Sequence, residues 1–315
     1  MNKKNNILIL LDNSYFLYFV LFGAVSIFQK RYPNEARQLI RNPEEVDQHN
    51  LPNLLINENF KKVLKNNVMK RLETIDWLTK ANFQEDVDIA DRIDILFAVD
   101  DNIMNSFRKE LYPEYKAQRV LTPKSFNIAA IKRYIVDVLF KELQLEEKYN
   151  YHMLQVEGAE GDDVIACVAN NFHDDYFKTI IYASDKDFLQ LDDVEQLNLF
   201  GKKAERKVGD QTVSADEYLL CKVILGDGAD NINKVFERVG PKKALRLAKD
   251  KESLMKMLKE NQAAAKQFML NKKLISFKEI PKELESKIVE KARTILYENE
   301  VLNKEVDFKD FMMAI

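Results

Sequence analysis

The chain has 315 residues, 46% of them apolar and 31% charged, enough to bury a core and to hold one large α/β unit with a smaller appended one. Its 48 basic and 51 acidic side chains leave a net charge of −3, so no global field draws it to a polyanion, and nucleic-acid binding would have to come from local patches. Cys167 and Cys221 lie in apolar segments without motif spacing, which argues against a disulfide scaffold and for buried, reduced thiols in a cytoplasmic protein.

The N-terminal apolar stretch superficially resembles a signal peptide or a membrane span, but Asp12-Asn13-Ser14 interrupts it. A charge near the middle of a span is costly, so the pattern predicts a strand over 7–11 ending at Asp12, then a fully buried helix over about 14–28. Residues 31–59, polar and carrying Pro33, Pro43 and Pro52, read as an insertion or long loop. Val63, Leu64, Val68, Leu72, Ile75 and Leu78 recur at helical spacing and predict a helix over 60–78 that packs on the sheet. A second apolar run, 95–99, stops at Asp100. The segment 106–149 is rich in cations and aromatics and is expected to emerge over the sheet edge as an arch above bound substrate. Glu160, Asp162 and Asp163 precede the apolar stretch 164–168, Asp185 and Asp187 follow the run 179–183, and Asp227 and Asp230 close the run 219–225. The basic cluster Lys202-Lys203 and Arg206-Lys207 reads as a solvated loop. Beyond about 211 helical patterns punctuated by Gly226, Gly228 and Gly240-Pro241 predict a helical C-terminal domain, so the expected division is 1–210 and 211–315. The apolar tail 306–315 suits docking on its own domain better than hooking a partner.

Apolar runs alternating with helical segments imply an α/β fold with a mostly parallel central sheet, whose strand ends open on one edge. The acids would converge there. So many carboxylates cannot all ionise in a small volume without cations, and oxygen donors with almost no His or Cys nearby select Mg²⁺ or Mn²⁺ over Zn²⁺. Two such ions can promote in-line displacement at phosphorus, which points to metal-assisted phosphoryl chemistry. Single acids at strand ends are common; Glu160-x-Asp162-Asp163 together with Asp185-x-Asp187 is the stronger signal.

In order along the chain stand Leu10-Leu-Asp-Asn-Ser14, Ser106-Phe-Arg-Lys-Glu-Leu-Tyr-Pro-Glu-Tyr-Lys-Ala-Gln-Arg119, Glu160-Gly-Asp-Asp-Val-Ile-Ala166, Ser184-Asp-Lys-Asp-Phe-Leu-Gln-Leu191, Gly226-Asp-Gly-Ala-Asp-Asn-Ile232 and Val239-Gly-Pro-Lys-Lys-Ala244. This series resembles the 5′ nucleases, the family of flap endonucleases, the 5′-nuclease domains of bacterial DNA polymerases and phage 5′-to-3′ exonucleases. Its compact size looks most like the phage replication nuclease known as ribonuclease H. The resemblance implies a PIN/5′-nuclease-like fold with a helix-hairpin-helix-type C-terminal domain. It places Asp12, Asp100, Glu160 and Asp162 around a first metal ion, and Asp163, Asp185, Asp187, Asp227 and Asp230 at a second. Asp100, directly after its strand, is preferred to Asp101. Lys116 and Arg119 would act on the scissile phosphate, in keeping with the need for fixed cations against transition-state charge. Arg108 would contact DNA, and Tyr115 would stack on the terminal base.

Lys234, Arg238, Gly240, Lys242, Lys243 and Arg246 would grip the duplex backbone, with Pro241 opening a helix whose amides face phosphate, and a K⁺ ion would sit in the hairpin. The implied substrate is duplex DNA with a 5′ flap, nick or RNA primer, cleaved by a Mg²⁺-dependent 5′ nuclease in the cytoplasm of a bacterium or phage-infected host. A sliding clamp or single-stranded-DNA-binding protein is the candidate protein partner. A PIN-type ribonuclease shares the acidic core but usually lacks the Lys-x-x-Arg arch and the hairpin, and a catalytically inactive junction-binding scaffold would be free to lose acids that this chain retains.

Overall fold

The structure, a computed structural model, describes residues 6–42, 44, 50–118, 124–143 and 150–298. Five parallel strands, β1 (Asn6–Asp12), β2 (Arg92–Val99), β3 (Tyr151–Gln155), β4 (Lys178–Tyr182) and β5 (Val194–Leu197), form the central sheet in the order β3-β2-β1-β4-β5. β1 is central, and its unbroken run of apolar residues is what burial on both faces requires. Because side chains alternate along a strand, Ile7, Ile9, Leu11, Phe97 and Tyr182 enter one core while Leu8, Leu10, Leu96 and Ile181 enter the other. The chain winds from β1 outward through β2 to β3, then returns to the far side of β1 for β4. That reversal puts the carboxyl ends of β1 and β4 side by side, where an open α/β sheet leaves a crevice.

The first core is covered by α1 (Asn13–Arg31) and α3 (Glu58–Ile89). Asp12 caps α1 by accepting from Tyr15 N at 3.0 Å, and α3 runs well past the expected helix, with a non-helical break at Phe83. The described residues of 31–59 hold regular structure that their composition did not suggest. Pro33 opens a helix, α2 (Pro33–Leu39), as proline can at a first turn, and Ala36 and Leu54 join the first core.

The expected arch also divides. Its first part forms α4 (Phe107–Leu111) and a turn at the acidic edge, whereas α5 (Ile128–Tyr134) continues through a π turn (Ile135–Leu139) to Glu142 and buries Ile131, Ile135, Leu139 and Phe140 in the first core. Apolar burial wins there, so this part is packed on the body of the protein and does not overhang the edge.

The second core is covered by α6 (Gly161–Asn171). After a short hairpin, β6 (Lys207–Val208) and β7 (Gln211–Thr212), come α7 (Ala215–Leu225), α8 (Pro241–Lys249), α9 (Lys251–Glu260) and α10 (Gln262–Ile275), which share one apolar cluster. The run 219–225 is thus helix and not strand: Ser214 and Glu217 form a capping box at its start, and Gly226, at φ 68°, ends it. α11 (Lys282–Arg293) leaves this cluster and packs on the second core. Both cysteines are buried and free. Among the described residues no helix is long and apolar enough to cross a membrane. The tail 306–315 lies outside the described residues.

Candidate active site

The edge defined by the carboxyl ends of β1, β2 and β4 collects the acids. Asp12 ends β1 and Asp100 directly follows β2; Asp162 stands in the first turn of α6, and Asp185 caps the 3-10 turn Lys186–Gln190 after β4. Asp100 is held by Ser14 Oγ at 2.7 Å and Gly161 N at 2.7 Å. A Cβ at Gly161 would lie 3.1 Å from Asp100 Oδ1 and 3.2 Å from Ala98 O, so the glycine lets the start of α6 approach β2. Asp101 instead clips its own loop, accepting from Gly158 N at 2.8 Å and Asn105 Nδ2 at 2.9 Å. Of the adjacent pair, Asp100 faces the cluster.

Burial, with Asp100 and Asp185 nearby, pushes the Asp12 carboxyl up to about 6 against the opposing hydrogen bond from Tyr15 N. Burial and the fields of Asp12 and Asp185 push Asp162 well above the usual carboxylate range, while Lys116 opposes them. Among the described residues no salt bridge reaches Asp12, Asp100, Asp162 or Asp185.

The neighbouring acids are neutralised from within. Glu160 receives Ser106 Oγ at 2.9 Å, Arg108 Nη1 at 3.2 Å and Lys116 Nζ. Burial alone would raise its pKa, but the two cations outweigh it and hold Glu160 below the ordinary value. Lys116 Nζ also lies 3.9 Å from Asp230. Lys222, on the last turn of α7, pairs with Asp187 and with Asp227 at 3.2 Å. Glu160, Asp162, Asp187, Asp227 and Asp230 all line one small cavity. Among the described residues no three acid, His or Cys side chains close into a ready-made metal cage; without an added cation the acids repel one another, and Lys116 and Lys222 stand between several of them.

Three residues of the expected site are placed inside the protein. Asp163 is fully buried: both its oxygens take Arg108, at 2.8 and 2.9 Å, and it caps α6 through Glu160 N, so it is a structural counter-charge and not a metal ligand in this arrangement. Arg108 is its partner, 3% exposed and also bonded to Leu274 O, which removes it from any DNA surface. Tyr115 is 4% exposed and packed against Val223, Ile232, Leu274 and Ile275, so its ring has no free face for a base. Arg119 lies outside the described residues.

Two residues escaped the sequence reading. Lys222 was hidden in an apolar run, where a lone cation is itself the signal. Tyr18 was assigned to a fully buried helix, yet it is 39% exposed, stacked on Phe22 with Lys132 Nζ 3.7 Å from its ring centre; the i, i+4 aromatic pair on the outer face of α1 was the available clue.

The hairpin residues lie on a different surface. Asn231, at φ 62°, turns the chain after Asp230, and Gly240 caps α8 with Pro241 in its first turn. Lys234, Arg238, Lys242, Lys243 and Arg246 are exposed, while Ala244, Leu245, Leu247 and Ala248 face the helical cluster. Lys242 and Arg246, with Lys249, line a groove of about 610 Å³ against the β6–β7 hairpin.

A parallel sheet with an acid-lined edge and a separate cationic helix defines the class, and comparison with known proteins agrees with it. The family model for the 5′-3′ exonuclease N-terminal resolvase-like domain matches residues 68–218. A 5′-3′ exonuclease of Aquifex aeolicus is 31% identical over 191 residues, 58% of this chain and 62% of that protein. A thermostable DNA polymerase I of Thermus caldophilus is 33% identical over 173 residues, 52% of this chain and 19% of that protein. The match thus spans less than two thirds of either relative. The bacteriophage T5 D15 protein, crystallised with metal ions, shares the fold with a TM-score of 0.55 at 15% identity, covering 92% of this chain and 99% of its own; its flap endonuclease complex with DNA and metal ions gives 0.53. Over residues 68–218 the chain thus resembles the nuclease domain of the 5′-3′ exonucleases.

Proposed function

We propose that the chain is a Mg²⁺-dependent, structure-specific 5′ nuclease acting as 5′-to-3′ exonuclease and flap endonuclease on DNA 5′ ends and RNA primers during replication. The carrying observation is the convergence of Asp12, Asp100, Asp162 and Asp185, from four chain segments, within reach of Lys116. Crowded carboxyls without salt-bridge partners call for an added cation, and an oxygen-only donor set suits a hard divalent ion. Asp12, Asp100, Glu160 and Asp162 would hold one ion, and Asp185, Asp187, Asp227 and Asp230 a second. Bound there, two ions would supply an activated water and charge neutralisation at the attacking and leaving oxygens. Zinc-type chemistry is disfavoured by the absence of His and Cys from the set.

Lys116 is the electrophile of the pair expected in the arch. Its ammonium already lies among the acids, and on release from Glu160 it can meet negative charge gathering on a scissile phosphate. Tyr18 takes the stacking role that Tyr115 cannot. It stands six residues into the helix from Asp12, about 9 Å by helical rise, and once Lys132 leaves its ring that face offers a platform to an unpaired base. The cations of α8 and its approach hold duplex phosphates without reading sequence, and a K⁺ ion in the hairpin would add to that grip.

The test is cleavage of end-labelled 5′-flap, nicked, RNA-primed and single-stranded substrates in Mg²⁺ and in EDTA, with product ends mapped. The expected result is Mg²⁺-dependent release of 5′ fragments from the duplex-containing substrates, leaving 5′-phosphate and 3′-hydroxyl ends. Cleavage confined to single-stranded RNA would favour a PIN-type ribonuclease, and binding without cleavage would favour a scaffold.

A further inference from the structure

The turn at residues 113–118 is fastened to the loop at residues 227–232 by both backbone and side chains. Lys116 N donates to Asp230 O at 3.0 Å, Asn231 Nδ2 donates to Glu114 O at 2.9 Å, and Gln118 Nε2 donates to Gly228 O. Tyr115 fills the space between them, packed on Val223 and Ile232. Lys116 and Asn231 both hold left-handed backbone, at φ 55° and 62°. Asparagine visits that region readily, whereas lysine does so when its surroundings impose it.

The far side of the loop is tied as firmly. Asn271, fully buried, donates to Val223 O and Asn233 O, both at 2.8 Å, and Val235 N donates to Ile224 O at 3.0 Å. A Cβ at Gly226 would come within 2.4 Å of Ile232 O, so the chain crosses itself closely there. Beyond this knot residues 233–240 lead into α8 and its exposed cations. A bonded path therefore joins the cationic helix to the backbone that aims Lys116. Asn231 stands on that path, and its side-chain donor is spent on the Lys116 turn.

Resting on the nuclease reading above, we infer that Asn231 is a positioning residue that sets Lys116 over the carboxylates and ties that placement to the duplex-gripping helix. Asn231→Gly keeps the left-handed turn and deletes the donor; Asn231→Asp keeps size and turn but, ionised, cannot donate. Three readouts are compared with the parent chain: single-turnover flap cleavage at saturating enzyme, duplex affinity by fluorescence anisotropy, and the rate of reductive methylation of Lys116 followed by mass spectrometry.

Each variant is expected to lose about tenfold in cleavage rate with affinity held within about twofold, and to expose Lys116 to faster methylation. In a Lys116→Ala background the same substitutions should cost less than about twofold more, because residues acting as a unit are non-additive. An unchanged rate, an affinity loss that tracks the rate, or an undiminished penalty in the Lys116→Ala background overturns the assignment. If the parent chain cleaves none of the substrates, the nuclease reading fails by itself, and methylation decides the positioning: an unchanged Lys116 rate in both variants overturns it.

Discussion

Asp12, Asp100, Asp162 and Asp185 stand in one another's field with no salt bridge among the described residues, whereas Glu160, Asp163, Asp187 and Asp227, at the same sheet edge, each hold a lysine or arginine. The difference separates acids that need a cation from outside from acids whose charge the fold has already met. Arg108 is the clearest internal counter-ion. Buried with Asp163 and Glu160, it fixes the start of α6 and so the position of Asp162. Lys116 and Lys222 are intermediate, since each bridges acids at the cavity that also admits Asp162 and Asp230.

The largest effect should come from the group without salt bridges. Asp162→Asn is expected to lower single-turnover flap cleavage by at least about a thousandfold, roughly 4 kcal/mol, while flap binding stays intact or strengthens, because a negative charge is removed and no DNA contact is lost. Near-normal turnover at saturating Mg²⁺ would dissolve the distinction between the two groups.

In the internally neutralised group the damage should fall on folding. Arg108→Met leaves Asp163 buried without its cation and Glu160 with Lys116 alone, and breaking such a pair from one side costs about 3–5 kcal/mol. Urea unfolding of the metal-free protein measures it. A loss under about 1 kcal/mol would mean that Arg108 is not the counter-charge these acids depend on.

A smaller effect with the opposite sign is expected at Asp12. Its folded pKa of about 6 exceeds the ordinary 3.8, so between those values the folded state binds more protons than the unfolded one. Metal-free stability should therefore fall as pH rises through that window and level off above it. Asn at this position still accepts from Tyr15 N as a helix cap but carries no charge. Asp12→Asn should thus flatten the fall and raise metal-free stability at pH 7 by about 1–3 kcal/mol, while abolishing cleavage. Thermal melts in EDTA across pH 4–8 test this; a variant that melts no higher than the parent at pH 7 would show that the raised carboxyl stores no repulsion.

The smallest effect lies far from both groups. Lys242→Ala with Lys243→Ala should weaken every duplex-containing substrate alike and reduce the slope of log affinity against log salt by about 2, leaving chemistry at saturating enzyme unchanged. An unaltered slope, or a defect confined to particular sequences, would remove α8 as the duplex anchor.

What the chain alone determined is what periodicity and composition can encode. The unbroken apolar run before Asp12 predicts a strand of a parallel sheet, and observed β1 is buried on both faces. The acids after such runs arrive at one edge because parallel strands all end there, so the meeting of Asp12, Asp100 and Asp185 was legible before any coordinates. Helix lengths, the fate of 31–59 and the division of the arch were not, because short helices and packed turns owe their stability to long-range burial that no local pattern carries.

Only the tertiary structure decided which charge meets which. Asp162 and Asp163 are adjacent in sequence, yet one turn of α6 aims the first at the acidic edge and the second at Arg108. Tyr115 and Tyr18 look alike as aromatic residues near the acids, but the first fills a core and the second stays partly exposed beside Phe22 and Lys132. Pair distances and burial fix the protonation and reach of such groups, and both arise from segments far apart in sequence that meet only when the chain has folded.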